Sequence, residues 1–237
     1  MARRSDDDQR CRRQLDVLVV DDHRTFADAL CIAIGLQGDM SCRAAARSAE
    51  AAFADIDVHG CPDVVLLDVE LPGMDGIEAV RVLRSRCPAV RVVLVTADTR
   101  AQTLIDAVEA GAHGYLPKSY PFAQLLSQLR RLDDELVAEP LSLERALRRV
   151  PEVPSPPAEP DPELTEREYQ ILLLLAEGLA VKQVASRLHM SVHTCRGHVA
   201  TLLRKFDVHS QLAAVVAAAR RGMLPNLVAG PAHAPQD

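Results

Sequence analysis

The chain has 237 residues, enough for one or two domains, and 48% of them are hydrophobic, enough for buried cores. No apolar run approaches the length of a membrane span, and no hydrophobic signal-peptide segment follows the N-terminal charges. We therefore expect a cytoplasmic protein that does not contact membranes. The six scattered cysteines lack C-x-x-C spacing, which argues against a zinc site and predicts reduced, buried thiols.

The first half of the chain alternates between short apolar runs and segments of helical periodicity. Residues 1–14 are charged and almost without apolar side chains, which predicts a disordered leader. Five strands are predicted between residues 15 and 131, at 16–20, 40–46, 64–67, 91–95 and 114–116. Helices are predicted between them, with Thr25 and Ser48 capping the first two. This alternation predicts an α/β domain with a doubly wound, five-stranded parallel sheet.

Polar side chains follow the apolar runs where the predicted strands end, namely Asp21, Asp22, Asp68, Thr96 and Lys118. Ligands of open α/β sheets bind beyond the strand ends, so these side chains are expected to meet there. Clustered carboxylates repel one another and favour a cation, and Mg²⁺ takes oxygen ligands. Asp68 would remain as a nucleophile that forms an aspartyl phosphate, with Lys118 and Thr96 binding the phosphoryl oxygens. Taken alone, without the other residues of this set, Asp68 would be expected only to cap or turn the chain after its strand.

This set of residues resembles the CheY-like receiver domain of two-component response regulators over about residues 15–131. The resemblance rests on Asp21-Asp22, on Asp68 with the LPGMDG loop behind it, on Thr96-Ala97 and on GYLPK, which ends in Lys118. It implies that Asp68 accepts a phosphoryl group from a sensor histidine kinase. Ser119 departs from the pattern, because many receivers have a proline after the lysine.

The resemblance also implies a metal site and a conformational switch. Mg²⁺ would be bound by the side chains of Asp22 and Asp68, by Asp21 through water, and by the backbone carbonyl of Glu70. Thr96 and Tyr115 would form the switch pair that reorients on phosphorylation, with Lys118 stabilising the phosphoryl group.

A linker is predicted at residues 132–162. Residues 132–150 are compatible with a helix that Pro140 interrupts, and residues 151–162 contain six prolines, typical of an extended spacer between domains. Binding of a proline-recognising partner is the alternative for this segment.

Four helices are predicted for residues 163–224, followed by a disordered tail at 225–237. Thr165 and Glu168 form a capping box for the first helix, and Ser191 and Ser210 cap the last two. A short helix, a brief turn and a longer helix are the layout of a helix-turn-helix, although a small structural bundle fits the helical pattern equally well. Residues 163–224 contain eight Lys or Arg and five Asp or Glu, whereas the remainder of the chain contains 19 and 28. A basic module is therefore joined to an acidic one.

Residues 164–221 resemble a LuxR-type helix-turn-helix, most specifically in LT-x-RE, EGL, K-x-VA-x-x-L and H-x-x-x-L-x-x-K. By this resemblance Arg196, Gly197 and Ala200 face the major groove of double-stranded DNA. The residues expected near the phosphate backbone are Lys182, Thr194 and Lys205. Gly197 and Ala200 have no polar reach, so base readout would depend on Arg196, His193 and DNA shape. Arg196 would contact either a guanine edge or a phosphate.

The two parts together resemble a response regulator of the NarL/FixJ type. This implies a transcription regulator, not an enzyme, that depends on phosphorylation and binds an inverted-repeat promoter site as a homodimer through residues 211–221. One alternative is a phosphatase of the haloacid-dehalogenase type, for which Asp68-Val69-Glu70 is a partial motif. The other is an interaction module that acts without phosphorylation or DNA.

Overall fold

The computed structural model describes residues 14–43, 45–132, 134–149 and 163–224. The predicted leader (except for residue 14), the proline-rich spacer at 151–162 and the predicted tail lie outside the described residues. Within the described part of the chain, no helix combines the length and the hydrophobicity needed to cross a membrane.

The N-terminal body is built on a parallel sheet with the strand order β2-β1-β3-β4-β5-β6. The strands are β1 Leu15–Val20, β2 Met40–Cys42, β3 Val64–Leu67, β4 Arg91–Thr96, β5 Gly114–Pro117 and β6 Val137–Ala138. The parallel α/β architecture is confirmed. Strand β2 is shorter than predicted, because Ala46 makes only an isolated bridge with Val20.

The sixth strand corrects the prediction of five, and it comes from the segment predicted as linker. Val137 pairs with Gly114 and Ala138 with Tyr115, while the backbone N–H of Glu139 donates to the Tyr115 carbonyl at 3.1 Å. A Cβ atom on Gly114 would lie 2.7 Å from Val137 Cγ1, so the absence of a side chain at 114 lets β6 lie against the sheet.

The helices of this body are α1 Arg24–Gly35, α2 Ala49–His59, α3 Gly76–Arg86, α4 Ala101–Glu109, α5 Phe122–Leu129 and α6 Pro140–Arg149. The Ser48 hydroxyl accepts a hydrogen bond from the Ala51 N–H, as predicted for an N-cap. The predicted cap at Thr25 is wrong, because α1 begins at Arg24, two residues earlier than predicted, and has His23 at its N-cap. Pro140 is the first residue of α6, where its missing N–H is not needed.

Alternate residues of the strands pack into two cores on opposite faces of the sheet. Val17, Val64 and Leu66 face α1 and α5, whereas Leu18 and Val65 belong to the core that includes α2, α3, α4 and α6. These strand side chains are at most 3% exposed. Burial of each stabilises the fold by about 1.5–3 kcal/mol relative to exposure.

The C-terminal body contains the four predicted helices, α7 Glu166–Ala176, α8 Val181–Arg187, α9 Val192–Lys205 and α10 Gln211–Arg220. The capping box of Thr165 and Glu168 is confirmed, and Ser191 and Ser210 cap α9 and α10. Helix α10 packs against α7 and α9 of its own body and also against α4 and α6. The two bodies therefore share one continuous apolar core.

Disulfides join Cys31 to Cys42 and Cys61 to Cys87. In this structure these four cysteines are therefore paired, which differs from the expectation of reduced thiols. Cys195 is free and fully buried.

Candidate functional site

Three side chains from different strands converge at the carboxyl edge of the sheet. The Lys118 ammonium lies 2.6 Å from Asp68 Oδ2 and 2.7 Å from Asp21 Oδ2, so one cation bridges two carboxylates. Asp21 follows β1, Asp68 follows β3 and Lys118 follows β5, which places all three where parallel strands end. The expected meeting of these distant residues is thus present.

The bridging lysine is charged and the carboxylates are largely removed from water. Asp21 is 2% exposed and Asp68 is 3% exposed. Burial acts against the charge of Lys118, but its hydrogen bonds to Asp21 and Asp68 raise its pKa above the usual value. Burial raises the pKa of Asp68, and the hydrogen bond and charge of Lys118 work against that rise. Lys118 thereby favours the ionised Asp68 that a nucleophile requires.

A group of four side chains could hold a metal ion at this edge. The ligand atoms of Asp21, Asp22, His23 and Asp68 all lie within 4.8 Å of one another. Three carboxylates fit the oxygen preference of Mg²⁺. His23 was not predicted, although a histidine beside two aspartates is a visible signal; its Nδ1 lies 2.8 Å from Asp22 Oδ1. The predicted ligation by the Glu70 carbonyl stays a prediction, and Glu70 is exposed.

The loop behind Asp68 depends on two glycines. Gly73 has φ +81°, a conformation that favours glycine. A Cβ atom on Gly76 would collide with the Asp68 carbonyl oxygen, so the absence of a side chain at 76 lets α3 begin directly against the backbone of Asp68. The Asp75 carboxylate caps that helix at the Glu78 N–H, at 2.8 Å. These contacts fix the position of Asp68 from behind.

The predicted switch residues Thr96 and Tyr115 are both buried, each 1% exposed. The Thr96 hydroxyl accepts from the Asp98 N–H at 3.1 Å, and the Tyr115 hydroxyl donates to the Asp98 carbonyl. Hydrogen bonds from Arg100, together with one from Thr103, hold the pKa of Asp98 at about 2. The Asp98 carboxylate is thus engaged by the first turn of α4 and not by the Lys118 cluster. The Tyr115 side chain lies inside the core in this arrangement.

Most residues predicted to contact DNA lie on the exposed side of the helix-turn-helix. The exposed ones are Lys182, His193, Thr194, Arg196, Gly197 and Ala200. Cys195 is fully buried on the opposite side of α9. Lys205 is different, because its ammonium lies 2.8 Å from the buried carboxylate of Glu168 and 2.6 Å from the Glu163 carbonyl. Its predicted phosphate contact stays a prediction, and it would compete with this ion pair.

The predicted base-reading residue is held by the segment between the two bodies. Arg196 Nε and Nη2 donate to the two carboxylate oxygens of Asp134, at 2.8 and 2.7 Å. The Asp134 carbonyl also accepts from the Val181 N–H, at 3.0 Å. The two N–H groups of Arg196 that bind the Asp134 carboxylate are the same groups that would contact a guanine edge or a phosphate.

Helix α10, which the sequence predicts as the dimer contact, is almost wholly buried within the chain. The Ser210 hydroxyl donates to the Ala112 carbonyl at 3.3 Å, and Arg220 pairs with Glu109 at the end of α4. Among the described residues, Gln211 Oε1 and Arg220 Nε are buried without a hydrogen-bond partner. Unpaired buried groups weaken a contact, so this packing is held mainly by apolar surface.

Two protein-family models match the two bodies. The model described as response regulator receiver domain matches residues 17–130, and the model described as bacterial regulatory proteins, luxR family, matches residues 162–218.

Curated relatives resemble the chain over nearly their whole length. The nitrate/nitrite response regulator protein homolog of Haemophilus influenzae is 30% identical over 204 residues, covering 86% of this chain and 95% of that protein. The response regulator protein VraR of Staphylococcus aureus is 29% identical over 212 residues, covering 89% and 99%. A solved two-component response regulator of the LuxR family from Aurantimonas sp. is 28% identical with a TM-score of 0.51, covering 56% of this chain and 95% of that one.

Proposed function

The chain belongs to the response regulators that join a receiver domain to a LuxR-type DNA-binding domain, and from that premise we propose that Asp68 is its phosphoryl acceptor. It is a DNA-binding transcription regulator controlled by phosphorylation. The observation that carries the assignment of Asp68 is the Lys118 bridge, with its ammonium 2.6 Å from Asp68 and 2.7 Å from Asp21.

The phosphodonor is a phosphohistidine of a sensor kinase. An Asp68 carboxylate oxygen attacks the phosphorus, the P–N bond breaks, and the leaving imidazole nitrogen keeps the electron pair and takes up a proton. Lys118, already beside the attacking carboxylate, pairs with the charge that develops on the phosphoryl oxygens. Asp21, Asp22 and Asp68 would hold Mg²⁺, which supplies charge neutralisation at the phosphoryl group.

Phosphorylation adds negative charge beside Lys118, and this charge competes with the present ion pairs of Lys118 with Asp21 and Asp68. The backbone N–H of Lys118 donates to the Thr96 carbonyl at 2.8 Å, so a hydrogen bond joins the lysine directly to the predicted switch residue. Tyr115 lies on β5, and β5 pairs with β6, which leads directly into α6. This gives a contiguous route from the acceptor to the surface on which α10 packs.

The described arrangement is the resting one. The Asp134 carboxylate binds the guanidinium of Arg196, and α4 and α6 pack against α10. Release of the C-terminal body would free Arg196 for DNA and α10 for a second copy of the chain. The active form is a homodimer on an inverted-repeat promoter site, with phosphate contacts from Lys182 and Thr194. Because its partners are DNA and a kinase's phosphohistidine, we propose that the protein works in the cytoplasm, away from membranes. We also propose that it is not an enzyme.

Acetyl phosphate labelling of the full chain tests the acceptor. The unchanged protein should gain one phosphoryl group by intact mass, and Asp68→Asn should gain none. Asp98→Asn is the matched control, because its carboxylate is engaged by Arg100 and Thr103 and should not be needed. Persistent labelling of Asp68→Asn would show that the acceptor is another residue.

A further inference from the structure

The four cysteines described in the receiver form two pairs, and neither pair is part of the phosphorylation site. Cys31 on α1 faces Cys42 at the end of β2, with their Cα atoms 5.3 Å apart. Cys61, before β3, faces Cys87 at the end of α3, with their Cα atoms 5.8 Å apart. Both Cα separations lie within the range that a disulfide spans without backbone movement.

Both pairs lie toward the amino-terminal edge of the sheet, opposite Asp68. Cys61 precedes the first residue of β3, whereas Asp68 follows its last residue. Cys87 ends α3 shortly before β4 begins. Cys42 is in register with Val17 and hence with the first residue of β3, and Cys31 lies in the second half of α1, which runs back toward the same edge. A bond at either pair therefore leaves the Lys118 cluster untouched.

The Cys61–Cys87 pair has one accessible and one protected sulfur. Cys61 is exposed, whereas Cys87 is 1% exposed in the apolar core. In thiol–disulfide exchange the reacting sulfur of the protein must be accessible to the small molecule. A small thiol or disulfide therefore reacts with this pair at Cys61. Cys31 and Cys42 are both half-buried, which makes exchange there slower.

We propose that these two pairs are reversible thiol–disulfide sites, reduced in a reducing cytoplasm and closed by low-molecular-weight disulfides such as glutathione disulfide. The Cys61 thiolate attacks glutathione disulfide and releases one glutathione as its thiolate. The Cys87 thiolate then attacks the Cys61 sulfur of the mixed disulfide and releases the second glutathione. The two protons of the protein thiols end on the two glutathione molecules, so atoms and electrons balance. The cytoplasmic setting rests on the proposed function.

The consequence is a receiver whose stability depends on redox conditions. Closing a loop restricts the unfolded chain, and the effect grows with loop length. The Cys61–Cys87 bond spans 26 residues and the Cys31–Cys42 bond spans 11, so the first should contribute more. Together they should raise the midpoint of thermal unfolding by on the order of 10 °C.

The test uses the full chain, reduced and then exposed to glutathione disulfide. Non-reducing peptide mapping should find the links 31–42 and 61–87, each with the loss of two hydrogens, and the unfolding midpoint should rise. Cys61→Ser is the informative variant, because Cys61 is exposed and its replacement leaves the core intact; it should remove the larger share of the rise. Cys11→Ser, at the cysteine outside the described residues, should keep both links. Acetyl phosphate labelling should be equal in both redox states, which separates this proposal from the assignment of Asp68.

Glutathione adducts without internal links, or a midpoint that oxidation leaves unchanged, would overturn the proposal. Equal oxidation-induced rises in the Cys61→Ser variant and the unchanged chain would also overturn it, because the 61–87 bond would then contribute nothing.

Discussion

The acceptor pocket and the DNA-reading helix hold their key charges in different ways. In the pocket, Lys118 bridges Asp21 and Asp68 at the ends of three strands buried in one sheet. On α9, Arg196 is held by Asp134, a half-exposed carboxylate between the two bodies. The pocket is organised by the core of its own domain, whereas the predicted DNA-binding face of α9 is engaged by Asp134, a contact that breaks before DNA binds under the proposed function. The pocket around Asp68 is therefore assembled for phosphorylation in the proposed resting chain, whereas Arg196 is not available to DNA.

Removing the lysine should break the pocket and give the largest effect. In Lys118→Met, two buried carboxylates lose their shared cation and the phosphoryl group loses its charge partner. Labelling by acetyl phosphate should slow by about a hundredfold or more. Lys182→Met is the control, because that exposed lysine lies on the other body. A near-normal labelling rate in Lys118→Met would contradict the assigned role.

Acid should weaken the fold at the seam between the two bodies. Burial lowers the pKa of His113 to about 4 from its usual 6.5. As the pH falls, His113 therefore takes up a proton in the unfolded chain before it does so in the folded chain. The contribution of neutral His113 to the free energy of unfolding is complete above pH 6.5 and is lost as the pH falls toward 4. The loss should amount to about 3 kcal/mol across that window.

Denaturant unfolding measured from pH 7 to pH 4 checks this effect. His113→Gln should flatten the acid limb, since an amide oxygen can still accept from the Val92 N–H that now donates to His113 Nδ1. His189→Asn, at an exposed turn, should leave the limb in place. An unchanged limb in His113→Gln would assign the acid sensitivity to other groups.

Freeing the reading arginine should give the smallest effect. Asp134→Ala removes a half-exposed ion pair, worth about 0.2–1 kcal/mol, so the unphosphorylated protein should bind its DNA site up to about fivefold more tightly. Fluorescence anisotropy on a labelled duplex measures the change. The gain should vanish in an Arg196→Ala background, where there is nothing to release. An equal gain in that background would show that Asp134 acts through another contact.

The local sequence pattern predicts the site residues whose positions are set directly by the strands of the sheet. Asp68 and Lys118 follow apolar runs, and parallel strands bring their carboxyl ends together, so their meeting needed no tertiary information. Strand β6 was missed because two residues carry no periodicity and its pairing depends on the space above Gly114. The contact of Asp134 with Arg196 joins residues 62 positions apart across two bodies, which no local pattern encodes. The resemblance places Lys205 near DNA, and the sequence shows its buried partner, Glu168, only as a capping residue.

The short strand β6 has one more consequence. It occupies the outer side of β5 with two residues, while β2, at the other end of the sheet, has only three. Among the described residues, neither edge strand offers an incoming polypeptide a long row of unpaired N–H and C=O groups. The receiver is thus protected against edge-to-edge aggregation on both sides of its sheet.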